Sequence, residues 1–221
     1  MELSTSEENY IKAIFKITER TGEKVSTNAL AEEFSIKAAS VTDMVQRLGE
    51  KSLVHYEKYK GVSLLEAGES VAKQLIRKHR LWEVFLVEKL NFSWDEVHEV
   101  AEQLEHIRSP KLTSELDAFL NYPKYDPHGD PIPDKEGRIQ ARIKLNLSKV
   151  QKGRIAEVIG VEESEDDFLR FLSRIGVQLG TKLEVLDRFE YDGSVVVQVD
   201  DEREVTLSEK VATNLWVTLE Q

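Results

Sequence analysis

The spacing of apolar residues predicts three short helices in the first part of the chain. Apolar side chains recur at intervals of three and four within residues 10–17, 28–34 and 38–51, and this period gathers them on one face of an α-helix. Residues 5–8 form a capping box that opens the first helix, and Gly22 ends it. We expect the three apolar faces to pack together.

Two short strands follow these helices and complete a DNA-binding pattern. Residues 53–57 and 62–64 alternate between apolar and polar side chains around a turn. Three helices and a hairpin are the order of a winged helix-turn-helix, whose third helix reads base edges while the hairpin meets phosphates. The residues that we expect at DNA are Thr27 (which can also cap the second helix), Lys37, Ala39, Ser40, Thr42, Asp43, Arg47, Lys58 and Lys60. Winged helices also serve as protein-interaction modules, but the basic side chains of Lys37, Arg47, Lys58 and Lys60 favour DNA binding.

The middle of the chain predicts three more helices with a surplus of apolar side chains. They cover residues 66–90, a stretch opened by Ser93 with Glu96, and residues 113–120. Their apolar surface exceeds what three short helices can bury; it includes Trp82, Phe85, Leu86, Val97, Leu104 and Leu116. We therefore expect a homodimer, which would hold two DNA-reading helices at a fixed separation for a palindromic operator.

The last third of the chain changes to a strand pattern. Residues 154–161, 182–189, 194–199 and 204–207 read as strands, and a helix at 166–174 interrupts them. This order predicts a small half-open β-barrel. The sequence shows no Ser/His/Asp nucleophile arrangement and no phosphate-cradling glycine loop, so we do not expect an enzyme.

Composition and charge narrow the function further. The 221 residues suffice for two or three small domains, and the lack of cysteine excludes disulfides and thiolate zinc sites. The net charge is −11, but residues 1–73 carry only −2 of it, which is compatible with DNA binding. No apolar run approaches the roughly 18 residues of a membrane span. The N-terminus has no apolar signal core, and we expect a cytoplasmic protein.

Imidazole and carboxylate side chains in the middle helices are spaced as a metal site requires. Six of them could face one another across a helix pair: His79, Glu83, His98, Glu102, Glu105 and His106. The last four stand at offsets of zero, four, seven and eight, which fall on one side of a helix. Deprotonated oxygen and nitrogen ligands on rigid elements suit a divalent ion. A solvated helix face without metal is the competing interpretation.

The loop at residues 122–137 offers further candidate ligands. It contains four of the five prolines and presents Asp126, His128 and Asp130. Four of the five histidines lie between residues 79 and 128, which concentrates potential ligands in one part of the chain. A polar connector rich in turns is the alternative interpretation of this loop.

Three motifs link this pattern to a known family. The winged helix is followed by RKHRLWE at 77–83, EQLEHIRS at 102–109 and DPHGDPIP at 126–133. The combination resembles the diphtheria toxin repressor family of iron- and manganese-dependent transcriptional regulators, and the resemblance covers essentially the whole chain. It implies a mainly α fold with a small β portion, in three domains: a winged helix-turn-helix at 1–73, a helical metal-binding and dimerisation domain at 74–144, and an SH3-like, FeoA-type β-barrel at 145–221.

The resemblance also implies a homodimer that binds Fe²⁺ or Mn²⁺ at two sites per subunit and then represses metal-uptake genes. The ligands of the primary site would be Asn9, Glu102, Glu105 and His106. The position of Asn9 holds Met in iron-sensing members of the family and Asp in manganese-sensing members. A second family glutamate, one turn later, is replaced here by Lys12, and this departure argues against a manganese-type site with paired metals.

The ancillary site has two forms within the family. One form would use His79, Glu83 and His98, and the other would combine Glu83 with Asp126 and His128. Glu163 or Asp166 would be the ligand if the C-terminal domain contributed one. Donors without sulfur favour Mn²⁺, with Fe²⁺ next.

Two alternative functions fit the same residues. The chain could be a metal-independent winged-helix regulator whose His/Glu set is surface charge. The set could also be the centre of a metal-dependent hydrolase, although the pattern predicts no substrate cleft beside it.

Overall fold

The protein folds into two compact units, seen in a computed structural model that describes residues 2–140, 144–162, 165–200 and 202–219. The first unit comprises Met1–His79, Glu105–Arg108 and Pro133–Arg138, and the second comprises Arg80–Leu104, Ser109–Ile132 and Ile139–Gln221. The division into three domains at 1–73, 74–144 and 145–221 remains a prediction. Within the described residues, none of the helices combines the length and the apolar character that crossing a membrane requires.

The first unit contains the winged helix-turn-helix that the sequence predicts. Its elements are α1 (Thr5–Thr21), α2 (Thr27–Glu33), α3 (Ala38–Glu50), β1 (Val54–Glu57), β2 (Gly61–Leu64) and the start of α4 (Glu66–Leu90). The apolar stripes of the helices are buried, and they include Ile11, Ile14, Leu30, Val41 and Leu48. The two strands pair antiparallel and form the wing.

The cap of α1 lies one residue before the predicted one. Ser4, rather than Thr5, caps the helix, because its hydroxyl accepts from the Glu7 amide. The Glu7 carboxylate accepts from the Ser4 amide at 2.8 Å, which completes the capping box. Thr5 and Glu8 fit the same pattern, but the Glu8 carboxylate is bound to His106 and is therefore unavailable to the cap.

The start of α2 also lies one residue from its prediction, whereas the end of α1 matches. Ser26, rather than Thr27, caps α2, and its hydroxyl accepts from the Ala29 amide at 3.0 Å. Gly22 ends α1 as predicted, in a left-handed conformation with φ of 70° that costs glycine little. Where two residues that can cap a helix are adjacent in the sequence, the start of the helix can therefore be predicted only to within about one residue.

The second unit joins helices to a six-stranded antiparallel sheet. Its helices are the end of α4, α5 (Val97–Leu104), α6 (Pro110–Phe119), α7 (Asp166–Arg174) and α8 (Glu209–Asn214), with a 3-10 turn at Leu147–Lys149. Its strands are β3 (Leu145–Asn146), β4 (Ile155–Val161), β5 (Lys182–Arg188), β6 (Val195–Val199), β7 (Arg203–Leu207) and β8 (Leu215–Leu219). They lie in the order β3-β8-β4-β5-β6-β7, and bulges bend β4 and β5 over an apolar core.

Several elements of the second unit differ from the prediction. The strands β4 to β7 and the helix α7 were expected, whereas β3, α8 and β8 were missed. The two residues of β3 and the six of α8 are too few to show a clear period. The strand β8 is as long as β6 and β7 and was overlooked. The helix α6 begins at Pro110, earlier than the predicted residue 113. Ser109 caps it through the Leu112 amide at 3.2 Å, and proline suits the first helical position.

An apolar surface remains uncovered on the helices of the second unit. Three residues expected to contribute to a surplus are instead buried within the unit: Leu86, Val97 and Leu116. The uncovered surface includes Phe119, which is 61% exposed at the end of α6. A dimer interface would cover an aromatic side chain of this kind.

Candidate metal centre

The Glu105–Arg108 segment packs against α1 through a buried carboxylate. Glu105 is fully buried, and the Lys12 ammonium donates to its two oxygens at 2.6 and 2.8 Å. The Nδ1 atom of His79, on α4, lies 2.6 Å from Glu105 Oε2. Glu105 thus connects two helices of the first unit.

Glu105 is held in its ionised form. Burial alone would raise the pKa of this carboxyl, but the hydrogen bond with His79 and the charge of Lys12 outweigh burial and lower the pKa below its usual value. Carboxylates bind divalent ions only when they are deprotonated. The predicted ligand therefore carries the charge that the role demands.

His106, the next residue, is oriented from α1. Its Nδ1 lies 2.6 Å from the Glu8 carboxylate, so an Nδ1–H that donates to Glu8 leaves the lone pair on Nε2. His106 Nε2 and Asn9 Oδ1 are both buried without a hydrogen-bond partner among the described residues. Buried polar atoms normally have partners, and a divalent ion accepts amide oxygen, imidazole nitrogen and carboxylate together. Asn9, Glu105 and His106 therefore fit such an ion.

A second group of potential ligands is buried in the second unit. Glu83, Asp126 and His128 each offer one ligand atom, and the three atoms lie within 4.8 Å of one another. His128 Nε2 lies 2.8 Å from the Trp94 carbonyl oxygen, so an Nε2–H that donates to it leaves the lone pair on Nδ1. That atom lies 3.8 Å from Glu83 and 3.9 Å from Asp126. Three donors thus converge at separations that a shared cation would bridge. We call these three residues the second cluster.

Burial, together with electrostatic repulsion, favours a cation at the second cluster. Burial, with the nearby charges of Glu83 and Asp130, raises the pKa of Asp126 to about 7. Arg80 and His128 oppose this shift, and Arg80 Nε lies 3.3 Å from the Asp126 carboxylate. The protein's own cations therefore compensate only part of the negative charge.

The loop that carries Asp126 and His128 is shaped by its own hydrogen bonds and by one glycine. Asp126 Oδ1 accepts from the amides of His128 and Asp130 at 2.8 and 3.0 Å. Gly129 has φ of +85°, and a Cβ there would stand 2.0 Å from the carbonyl oxygen of Ile159 on β4. The loop can approach the sheet this closely only with glycine at position 129.

The other predicted ligands have more varied surroundings. His98 is half exposed, with Nδ1 3.4 Å from the Glu83 carboxylate, and Glu102 is half-buried on α5 in the second unit. Asp130 pairs with Arg80 at 3.2 Å. Asp166 is exposed at the start of α7, while Glu163 lies outside the described residues. The joint role of His79, Glu83 and His98 stays a prediction.

The predicted DNA residues lie on α2, α3 and the wing, or next to them. Seven are exposed: Lys37, Ala39, Ser40, Asp43, Arg47, Lys58 and Lys60. Thr27 and Thr42 are half-buried, and the Thr42 hydroxyl donates to the Ala38 carbonyl at 3.0 Å, which leaves it less suited to contact bases. Their contacts with DNA remain predictions.

Three further residues escaped the sequence reasoning. Glu8 orients His106, and Arg80 faces Asp126. Tyr59 is 93% exposed at the tip of the wing, in a left-handed conformation with φ of 68°. Two of them could have been found from the sequence, because Glu8 adjoins the candidate ligand Asn9 and Arg80 lies within the RKHRLWE motif. No feature of the sequence indicated that Tyr59 would be so exposed.

Three domain families match the chain in order. The N-terminal DNA binding domain of the iron dependent repressors matches residues 2–62, and their metal binding and dimerisation domain matches residues 65–134. The FeoA domain matches residues 145–219. Together the matches extend from the winged helix to the C-terminal sheet.

Individual proteins show similarity of different extent. A solved structure of a manganese-dependent transcriptional repressor in complex with manganese is 35% identical, with a TM-score of 0.81, and the match covers 97% of this chain and 100% of that one. The diphtheria toxin repressor of Corynebacterium glutamicum is 25% identical over 226 residues, which cover 95% of this chain and 98% of that protein. A probable metal transport system membrane protein of Chlamydia trachomatis is 45% identical over 73 residues, a third of this chain but only 16% of that protein.

Proposed function

Because the chain belongs to the diphtheria toxin repressor family of metal-dependent transcriptional regulators, we propose that it is a homodimeric repressor that binds a palindromic operator when Mn²⁺ or Fe²⁺ is bound. The named repressors that match most of its length are regulators rather than enzymes, which argues against the hydrolase alternative. Regulation of metal uptake and homeostasis is the role that we propose, and a repressor of chromosomal genes would act in the cytoplasm.

We propose a primary metal site formed by Asn9, Glu102, Glu105 and His106. The observation that carries the proposal is that two buried atoms, Asn9 Oδ1 and His106 Nε2, have no hydrogen-bond partner among the described residues. His106 Nε2 lies 3.7 Å from Oε1 of Glu105, whose pKa is lowered. A bound divalent cation would supply positive charge and directional bonds to these donors. Glu8 would keep Nε2 of His106 in the ligating tautomer.

The second cluster is our preferred ancillary site. Glu83, Asp126 and His128 are all buried, and their ligand atoms already lie close together. The Trp94 carbonyl orients the His128 ring, and the Asp126 turn positions the carboxylate. The alternative set, in which Glu83 acts with His79 and His98, is the less favoured one because His98 is half exposed.

The proposed switch acts through the ends of α1 and α5. Asn9 lies in α1, which packs in the winged helix, whereas Glu105 and His106 follow the end of α5. Shared coordination by these three residues would restrain α1, and with it the orientation of α3. In a homodimer this restraint would set the spacing of the two α3 helices against the half-sites of an operator. DNA and metal would then favour one conformer, with a coupling of typically about 1–3 kcal/mol.

The donor chemistry favours manganese, with iron as the second candidate. All proposed ligand atoms are oxygen or imidazole nitrogen, and the chain has no cysteine. Such donors suit hard ions such as Mn²⁺. Asn9 is neutral, so this site carries less negative charge than one with an aspartate there.

Operator binding under controlled metal supply tests the proposal. The full-length protein would be titrated onto a palindromic promoter fragment of a metal-transporter gene, with Mn²⁺, with anaerobic Fe²⁺ or with a chelator. We expect tight binding only with metal, and the ion that activates at the lower concentration is the cognate one. Equal affinity in chelator would instead indicate a metal-independent regulator.

A further inference from the structure

We propose that Lys12 is an internal counter-cation that competes with metal for Glu105 and so raises the metal concentration at which the repressor becomes active. This inference rests on the proposed metal-dependent function. Its basis is the contact between the Lys12 ammonium and both oxygens of Glu105, at 2.6 and 2.8 Å. Those two oxygens are the atoms that Glu105 would offer to a metal ion.

The competition follows from burial as well as from distance. The side chains of Lys12 and Glu105 are 7% and 0% exposed, so water screens their attraction weakly. The Nδ1 atom of His79 contacts one of the same oxygens at 2.6 Å, so both oxygens of Glu105 already have partners where a metal ion would bind. A cation that binds Glu105 must therefore displace the ammonium or share the carboxylate with it, and both weaken metal binding.

Lys12 also stabilises the metal-free protein. A buried carboxylate without a compensating charge is strongly destabilising, and Lys12 supplies that charge when metal is absent. Replacing Lys12 by a neutral residue should therefore weaken the metal-free fold and strengthen metal binding at once. A lysine with a purely structural role would affect only the fold.

The test compares Mn²⁺ affinity between matched variants of the full-length protein. All of them carry Asp126→Asn, which removes a ligand of the second cluster so that the primary site alone reports. Lys12→Met removes the charge and Lys12→Arg keeps it. Lys51→Met is the matched control. The Lys51 ammonium pairs with a different α1 carboxylate, that of Glu7, and their N–O distance is also 2.6 Å. Affinity is measured by calorimetric titration, and melting temperature is measured in chelator.

We expect Lys12→Met to bind Mn²⁺ about tenfold more tightly than the parent and to melt several degrees lower in chelator. Lys12→Arg and Lys51→Met should retain the parent's affinity. If Lys12→Met does not fold, Lys12→Gln puts the same question with a side chain that still donates hydrogen bonds.

Affinity that is unchanged or weaker in the neutral variants, while the parent binds Mn²⁺, would overturn the competition alone and leave the proposed repressor intact. If the Asp126→Asn parent binds no Mn²⁺, this inference is overturned, and if the unsubstituted protein binds none either, the proposed function is overturned with it. Half-maximal operator binding at a lower Mn²⁺ concentration in Lys12→Met would give independent support.

Discussion

The Nδ1 atom of His106 lies 2.6 Å from the carboxylate of Glu8, so a residue of α1 sets the orientation of an imidazole that is distant in sequence. Partners that orient a ligating histidine typically contribute tenfold to a hundredfold to metal affinity. We expect Glu8→Gln to weaken Mn²⁺ binding at the primary site by about tenfold or more. Glu7→Gln, whose carboxylate contacts Lys51, is the control for loss of charge on α1. Equal effects of the two substitutions would show that charge, rather than orientation, matters.

Replacing Glu105 should abolish metal-dependent operator binding, but it should not leave stability unchanged. Lys12 and His79 share this buried carboxylate, and breaking a buried ion pair costs about 3–5 kcal/mol. We therefore expect Glu105→Ala to lower the free energy of unfolding by that order, and Glu105→Gln by less. Operator titrations and denaturant unfolding of both variants measure the two effects. The exposed Glu99 on α5 offers Glu99→Gln as a control, and metal-dependent DNA binding by Glu105→Gln would contradict the assignment.

Metal binding at the second cluster should weaken as the pH falls below neutrality. The pKa of Asp126 is raised to about 7 without metal, so a proton competes for the ligand oxygen below that pH. Displacing one proton weakens apparent affinity by up to about tenfold per pH unit. Mn²⁺ titrations of Glu105→Gln at pH 6, 7 and 8 isolate the effect, and affinity independent of pH would exclude Asp126 as the titrating ligand.

The same shift makes the stability of the metal-free protein depend on pH. Because the folded protein holds the Asp126 proton more tightly than the unfolded chain, whose value is near 3.8, this group favours folding most at low pH. Its contribution is lost as pH rises through about 7. Comparing unfolding of the parent and Asp126→Asn across pH 5 to 8 in chelator isolates this contribution, and the parent should lose stability relative to the variant as pH rises.

Gly129→Ala should disrupt the second cluster and spare the primary site. Both the left-handed backbone and the carbonyl oxygen of Ile159 oppose a side chain at this position. The loop must shift, and with it Asp126 and His128. Gly153→Ala is a matched control, because Gly153 has a similar φ of +78° with nothing within 4 Å of its Cβ. Both variants should lose about 1 kcal/mol or more of stability, but only Gly129→Ala should lose one bound Mn²⁺ per subunit.

The wing should contribute to DNA affinity without reading sequence. Lys58 is exposed beside Tyr59. If Lys58 contacts a phosphate, Lys58→Gln should weaken binding to all DNA sequences. It should also reduce the slope of log binding constant against log salt concentration by about one. Operator and random-sequence affinities measured over a range of salt concentrations provide the test. Lys135→Gln, at an exposed position outside the winged helix, should change neither quantity. A loss confined to the operator would instead indicate base recognition.

Helix periodicity predicted the bounds of α4 and α7 well and the contacts between distant residues poorly. The bounds of α4 and α7 match the prediction because each has a sustained apolar stripe between clear breaks. The pairing of Lys12 with Glu105 spans 93 positions and leaves no trace in local periodicity. Candidate ligand residues could therefore be named from spacing and resemblance, and they remain predictions, whereas the hydrogen bonds that orient His106 and His128 required the fold.

The Trp94 carbonyl that orients His128 has an evolutionary consequence. Because the acceptor belongs to the main chain, no exchange of side chain at that position removes it. His106 depends on the Glu8 side chain, which a single base change in the gene can replace. The orientation of His106 in the proposed primary site is consequently open to retuning by point mutation, while the acceptor that orients His128 is inherited with the backbone itself.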